Sequence, residues 1–304
     1  RLNYKFWRKY SFWIFLASII LTLLVFVPGL GFSHGGAKRW IEIGSFSFQP
    51  VEFLKFGFII YFSAWLSAAK KKTQSFKWSV LPFLILLLGI ALILFKQPDT
   101  KSFILILIAG LAMIFVSGVP WKYIIGVILA AIIGFMILVY LKPYLLDRVD
   151  TFLNPSRDPQ GSSYQLQQSL IAVGSGEIFG RGFGQSVQKF SYLPEPQGDS
   201  VFAVLGEEFG FAGSITFIML FSVFALRGIR IAGNAPDLFA RLLSTGIVIL
   251  LTAQAFMNIA SIIGLFPLTG VPLPFVSHGG TALMIDLVAV GIVFNISRFK
   301  KNTG

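Results

Sequence analysis

Residues 121–141 read WKYIIGVILAAIIGFMILVYL, and after Lys122 the run carries no charge to its end. A helix rises ~1.5 Å per residue, so about 20 residues cross the ~30 Å hydrocarbon core of a bilayer. The stretch therefore reads as a membrane pass. Working outward, apolar segments of similar character lie at about 11–30, 50–69, 79–95 and 102–117, and, after a long polar stretch, near 201–226, 242–266 and 281–297. Lipid admits only helices and closed barrels, because unpaired backbone groups find no water there. The ten-residue alternation of an outer-membrane barrel is absent. The expected fold is thus an all-α polytopic membrane protein, a single membrane domain over 1–304 with about eight transmembrane helices. Composition agrees: 55% of the 304 residues are hydrophobic and 12% charged, and the mean hydropathy is +0.78. A water-soluble domain would expose large apolar patches at such values. With no cysteine, disulfides and thiolate metal sites are excluded.

Basic residues orient the passes, since cytoplasmic loops retain Lys and Arg. A cytoplasmic start places fifteen of them inside, Lys70, Lys71, Lys72 and Lys77 among them, and nine outside. The net charge of +12 follows from topology and attraction to anionic membrane lipid, with no need of nucleic acid. Residues 142–200 then form one long extracytoplasmic loop. Within it YQLQQSLIAVG has the spacing of a short amphipathic helix. The glycines of GSGEIFGRGFGQS suit either a flexible loop or close approach to another surface.

Four places carry polar chemistry that lipid does not favour. In GGAKRW (35–40), Lys38 and Arg39 can hold a pyrophosphate, or the group can anchor at the interface. In QPVEFLK (49–55), Gln49 precedes a helix whose Glu52 and Lys55 share one face, as a structural ion pair or as part of a site. In SYLPEPQGDSVFAVLGEEFGFAG (191–213), Asp199 sits where an aqueous loop meets an apolar run and is the better candidate for a base. Glu207 and Glu208 can instead satisfy Arg or backbone groups. In GVPLPFVSHGGTAL (270–283), two prolines and two glycines mark a broken segment lining a cavity, with Ser277 and His278 in it. His278 reads either as a proton carrier or metal ligand, or as a satisfied hydrogen-bonding histidine. Asp286 follows within a pass and needs a partner inside the bundle.

These motifs, in this order, resemble the SEDS family, which comprises FtsW, RodA and SpoVE: GAKRW, QPVEFLK, the stretch from GSSYQLQQ to GFAG, FMNIASIIGLFPLTGVPLPFVSHGG and GIVFNISR. The likeness covers nearly the whole chain. GQSVQKFSYLPEP is more similar to the division branch, FtsW, and GVPLPF to RodA. The resemblance implies a peptidoglycan glycosyltransferase that polymerises lipid II into glycan strands for cell wall synthesis and cell division. It places the essential aspartate at Asp199 and the family's paired glutamate and lysine at Glu52 and Lys55. It further implies substrate contacts from Lys38, Arg39, Gln49, Glu208, Ser277 and His278, and a divalent cation, Mg or Mn, held by the substrate. A class B penicillin-binding protein is the implied partner. The implied setting is the bacterial plasma membrane, with the active site outside the cytoplasm. The family fold has ten membrane helices and LNYKFWRK resembles the linker before its third, so a chain opening on Arg1 reads as lacking two. Departures from the family pattern are QGD before the long helix, SHGG, and Pro98 to Ser102 reading PDTKS. The rival readings are a lipid II flippase or transporter and a non-catalytic divisome scaffold.

Overall fold

The computed structural model describes residues 2–34, 37–44, 46–155 and 163–299. The chain divides into two compact units: residues 1–125, 224–251 and 280–304 form the first, and residues 126–223 and 252–279 the second.

The first unit opens with α1 (Lys5–Lys9) and α2 (Ser11–Leu24). Sequence hydropathy carries this pass to residue 30, but Pro28 and Gly29 follow the helix closely, and the chain turns instead into a small antiparallel sheet. Its strands are β1 (Gly31–His34), β2 (Ala37–Ile43) and β3 (Phe46–Phe48), in the order β1-β2-β3. The all-α expectation is corrected to that extent: successive strand residues point to opposite faces, so Ile41 and Ile43 share one face of β2, with Trp40 and Glu42 on the other, and Ile41 is buried.

Next come α3 (Pro50–Ala68), α4 (Phe76–Leu94) and α5 (Thr100–Val116). Pro50 stands at the first helical position of α3, where its missing N–H costs nothing. This helix is the centre of the unit and is buried along most of its length. Phe58 and Phe62 stack at 5.4 Å between ring centroids, and Phe62 stacks on Phe83 of α4 at 5.2 Å. By contrast, α4 exposes Leu81, Ile85, Leu88 and Leu92, which recur at helical spacing and form a lipid-facing stripe.

The second unit holds most of α6 (Trp121–Leu141), then α7 (Pro143–Leu153), α8 (Tyr164–Ser175) and the short α9 (Gln188–Ser191). The amphipathic helix expected in YQLQQSLIAVG is α8. Helix α10 (Val201–Gly233) begins in this unit and ends in the first; α11 (Leu238–Ile262) runs from the first into the second. Leu193, Phe202, Ala203, Ile259 and Leu273 pack as the second unit's core. In the first unit, α12 (Gly280–Ser297) completes the helices. Six helices among the described residues are long and apolar enough to cross a membrane: α3, α4, α6, α10, α11 and α12. The apolar α2 and α5 are shorter.

Candidate active site

The site is built on the second unit, where α10 begins. The preceding stretch, LPEPQGDS, has two prolines that cannot donate, so its turn depends on the remaining groups. The Glu195 carbonyl accepts from Gly198 N and Ser200 N, each at 3.1 Å. This turn delivers Asp199 next to the first turn of α10, where the positive end of the helix dipole favours a carboxylate.

Three successive carbonyls of the turn are each taken by a donor from residues 258–278. Gln197 O accepts from His278 N at 2.7 Å, Gly198 O from Ser277 Oγ at 2.6 Å, and Asp199 O from Asn258 Nδ2 at 2.7 Å. The broken segment that supplies two of these donors is itself held down. Asn258 Nδ2 also donates to Val271 O at 2.7 Å, Gln254 Nε2 donates to Pro272 O at 3.1 Å, and Leu273 N donates to Ser277 Oγ at 2.8 Å. From the other side, Gln165 Nε2 of α8 donates to Ser200 Oγ at 3.1 Å. Asp199 is partly buried and its backbone is thereby clamped, while its carboxylate makes no hydrogen bond or ion pair with the described residues. A partly solvated carboxylate on a fixed backbone, with no partner among the described residues, can accept a proton from a bound hydroxyl.

The glycine run reaches α10 in the same unit. The helix breaks at Gly210, whose φ of 65° and ψ of −163° are non-helical. Groups freed by the break pair with the loop: Arg181 N and Gly182 N donate to Glu207 O and Glu208 O, each at 3.0 Å. Phe211 N and Ala212 N in turn donate to Glu177 O and Ile178 O, at 2.8 and 3.0 Å. Glycine is required at the crossing, since a Cβ on Gly180 would lie 2.2 Å from Glu208 O and one on Gly210 2.4 Å from Gly180 N. The glycines therefore serve close approach, the second of the two readings above.

The two glutamates at the break bind the end of that loop. Glu207 accepts from Ser186 Oγ at 2.6 Å, Val187 N at 3.0 Å and Gln188 N at 3.2 Å, and lies 3.6 Å from Arg181. Glu208, a candidate for substrate contact, has its buried carboxylate on Lys189 Nζ at 2.6 Å and Ser186 N at 3.4 Å. Both hold the stretch that leads into the Asp199 turn. Ser277 and His278 are brought to that turn too, Ser277 through its hydroxyl and His278 through its N–H; the His278 side chain is exposed.

The remaining candidates belong to the first unit. Lys55 Nζ lies 2.8 Å from Glu52 Oε2 on the first turns of α3, with both side chains 3–4% exposed. Gln49 caps the start of α3 with its extended backbone only. Lys38 is exposed on β2. Arg39 Nε donates to Gln97 O at 3.1 Å, and its guanidinium also donates to Pro98 O, so this cation ties the sheet to the turn before α5. Asp99 of the PDTKS motif caps α5 through Ser102 N and Oγ at 3.3 and 2.8 Å. Asp286 is buried in α12. Gly35 and Gly36 of GGAKRW lie outside the described residues.

Among the described residues, no three His, Asp or Glu side chains gather to hold a metal ion. Sequence reading passed over Asn258, Gln254 and Gln165. The first two were legible in principle: amides four residues apart share a helix face, and in an apolar pass such a face needs a polar partner.

The chain matches the FtsW, RodA and SpoVE family model, described as "Cell cycle protein", over residues 1–302. It is 42% identical to stage V sporulation protein E of Bacillus subtilis (strain 168), over 98% of this chain and 82% of that protein. To a probable peptidoglycan glycosyltransferase FtsW of Geobacter sp. (strain M18) it is 39% identical, over 97% of this chain and 80% of the relative. Its structure is similar to that of a chain in a peptidoglycan synthase complex studied for the coordination of polymerization and crosslinking. There the TM-score is 0.81 and the identity 28%, over 98% of this chain and 83% of that one. The rod shape determining protein RodA of Thermus thermophilus is similar at a TM-score of 0.71 and 26% identity, over 98% of this chain and 80% of that one.

Proposed function

The chain belongs to the FtsW, RodA and SpoVE family of cell cycle proteins, and from that premise we propose that it is a peptidoglycan glycosyltransferase with Asp199 as its general base. The substrate is lipid II and the product a lengthened glycan strand. The observation that carries the base assignment is the Asp199 turn: three carbonyls are clamped, and the carboxylate has no hydrogen bond or ion pair among the described residues. Relatives named as probable peptidoglycan glycosyltransferases support the reaction class.

In this mechanism Asp199 takes the proton of the acceptor sugar hydroxyl as that oxygen bonds to the anomeric carbon of the donor. The bond from that carbon to the lipid pyrophosphate breaks on the opposite face, and configuration inverts. Pyrophosphate is already a good leaving group, so it needs charge stabilisation rather than a protein acid. Lys38, the exposed cation of GGAKRW, is assigned to that charge, and the buried Glu52 and Lys55 pair to holding the start of α3. Arg39 serves this reading through the backbone it holds. One carboxylate is too small a donor set for Mg or Mn, which take six oxygens, so such a cation would be held by substrate oxygens.

The same reading counts α2 and α5 as crossings with the six longer helices, and puts residues 142–200 and the site outside the cytoplasm of a bacterial plasma membrane. The Lys and Arg distribution supports that orientation. A class B penicillin-binding protein is the proposed partner, supported by the similarity to a chain of a peptidoglycan synthase complex.

The deciding experiment is lipid II polymerisation by purified full-length protein carrying Asp199→Asn, which keeps shape and cannot accept the proton at neutral pH. General base catalysis contributes ~10² to 10⁴ in rate, so the rate should fall by that factor while lipid II binding holds. Near-normal polymerisation by the folded variant would remove Asp199 from the role, and lipid II movement across the bilayer without glycan from either protein would favour a transporter.

A further inference from the structure

The first unit carries a groove that the reaction does not use, and it begins with a defect in α4. Pro82 has no N–H, so the carbonyl of Trp78, four residues earlier, lacks its helical partner. Trp65 Nε1 of α3 supplies one, donating to Trp78 O at 3.2 Å. Around these two tryptophans lie two adjoining cavities of about 350 Å³ each, both lined by Trp65 and Trp78. One runs along Leu81, Pro82, Ile85 and Leu86 and starts at Lys77. The other reaches Ala68, Ala69 and Lys72, whose Nζ stands 4.6 Å from the Trp78 ring centroid.

Lys77, Leu81 and Ile85 are successive i, i+4 positions, so the first cavity is a trough along the helix with an ammonium at one end and alkyl side chains beyond. Its volume falls in the range of small-ligand sites, about 300–1,000 Å³. Leu81 and Ile85 are exposed on the lipid-facing stripe of α4, so the trough opens sideways to acyl chains. At its head two exposed lysines and two tryptophans meet, the composition of a headgroup layer. A neutral protein helix laid in this trough would leave both ammonium groups unmatched, and a zwitterionic lipid would bring a cation towards them.

We propose that this groove is a binding site for one anionic phospholipid of the leaflet that the loop at residues 69–77 faces, its acyl chain along Leu81 and Ile85 and its phosphate at Lys72 and Lys77. The site is independent of the reading of Asp199.

The indoles that line it are also its reporters, because brominated acyl chains quench tryptophan on contact. Full-length protein would be placed in phosphatidylcholine vesicles containing a small fraction of either dibrominated phosphatidylglycerol or dibrominated phosphatidylcholine. The groove's signal is the part of the fluorescence lost in a Trp65→Phe, Trp78→Phe variant. That signal should be quenched at a lower mole fraction of the brominated phosphatidylglycerol than of the phosphatidylcholine. The preference should fall about fivefold for each lysine removed in Lys72→Gln and Lys77→Gln, as expected for ~1 kcal/mol per basic residue at an anionic surface. Both lysines are exposed, so these variants leave the packed interior intact. Equal quenching by the two lipids would overturn the proposal. So would a preference that survives in the double lysine variant or that persists when both groove tryptophans are gone.

Discussion

Replacing Asn258 with aspartate should damage this protein more than replacing it with alanine, although aspartate is nearly the same shape. Asn258 is 1% exposed, and its Nδ2 donates at 2.7 Å to both Asp199 O and Val271 O. Alanine removes both bonds. A buried acceptor left without its donor costs about 1–3 kcal/mol, but side-chain hydrogen bonds inside membrane proteins average only ~0.6 kcal/mol. Alanine also deletes Asn258 Oδ1, itself buried with no partner among the described residues. The net cost is therefore about 1–2 kcal/mol. Aspartate keeps the bulk, has no N–H, and sets a carboxylate against two carbonyl oxygens; an uncompensated buried charge costs about 3–5 kcal/mol, unless the group takes up a proton. A shift of ~1 Å in a reacting group can cost about 10² in rate, so kcat for glycan polymerisation should fall with KM little changed. Aspartate should be slower than alanine and melt lower in detergent. Unchanged kcat and melting temperature in both variants would refute the tether, as would an aspartate variant that outperforms alanine.

Glu52→Gln breaks the 2.8 Å pair with Lys55 where both side chains are nearly inaccessible; the melting temperature should drop by the equivalent of about 3 kcal/mol, and a neutral result would count against a structural role for the pair. Gly180→Ala forces a Cβ to 2.2 Å from Glu208 O at a φ of +79°, so protease access to residues 176–184 should rise sharply, whereas Gly184→Ala, with open space around it, adds only backbone strain and serves as the control. Tyr4 is buried and donates to Asp237 Oδ2 at 2.9 Å; burial first, and then the neighbouring carboxylate, push its phenol up to about 12 from 10.0. The raised value means that this contribution to stability is complete below pH 10 and is lost between pH 10 and 12. Tyr4→Phe should flatten the fall in melting temperature across that window, and an identical fall in both proteins would dismiss the linkage.

Hydropathy alone located the long apolar helices, because a backbone in lipid must pair within its own segment whatever its neighbours are. The same logic made Asp199 and the Glu52–Lys55 pair legible: an ionisable group beside hydrocarbon needs a partner or a task. Local chemistry also predicted α8 from its apolar spacing and the start of α3 from Pro50. What no periodicity announces is pairing between irregular segments. The carbonyls of residues 197–199 meet Asn258, Ser277 and His278 across 59 to 81 positions of sequence, and only the folded chain brings those donors to them. The glycine run looked the same whether it was a loose loop or a plug until its backbone closed the break at Gly210. In sequence Arg39 suited either a pyrophosphate or an anchor at the interface, because a guanidinium pairs with anions and carbonyls alike; its bonds to the carbonyls of Gln97 and Pro98 are visible only in the tertiary structure. Charge and hydropathy act over short stretches and survive in sequence order, whereas the hydrogen bonds that hold the Asp199 backbone depend on where distant segments of the chain end.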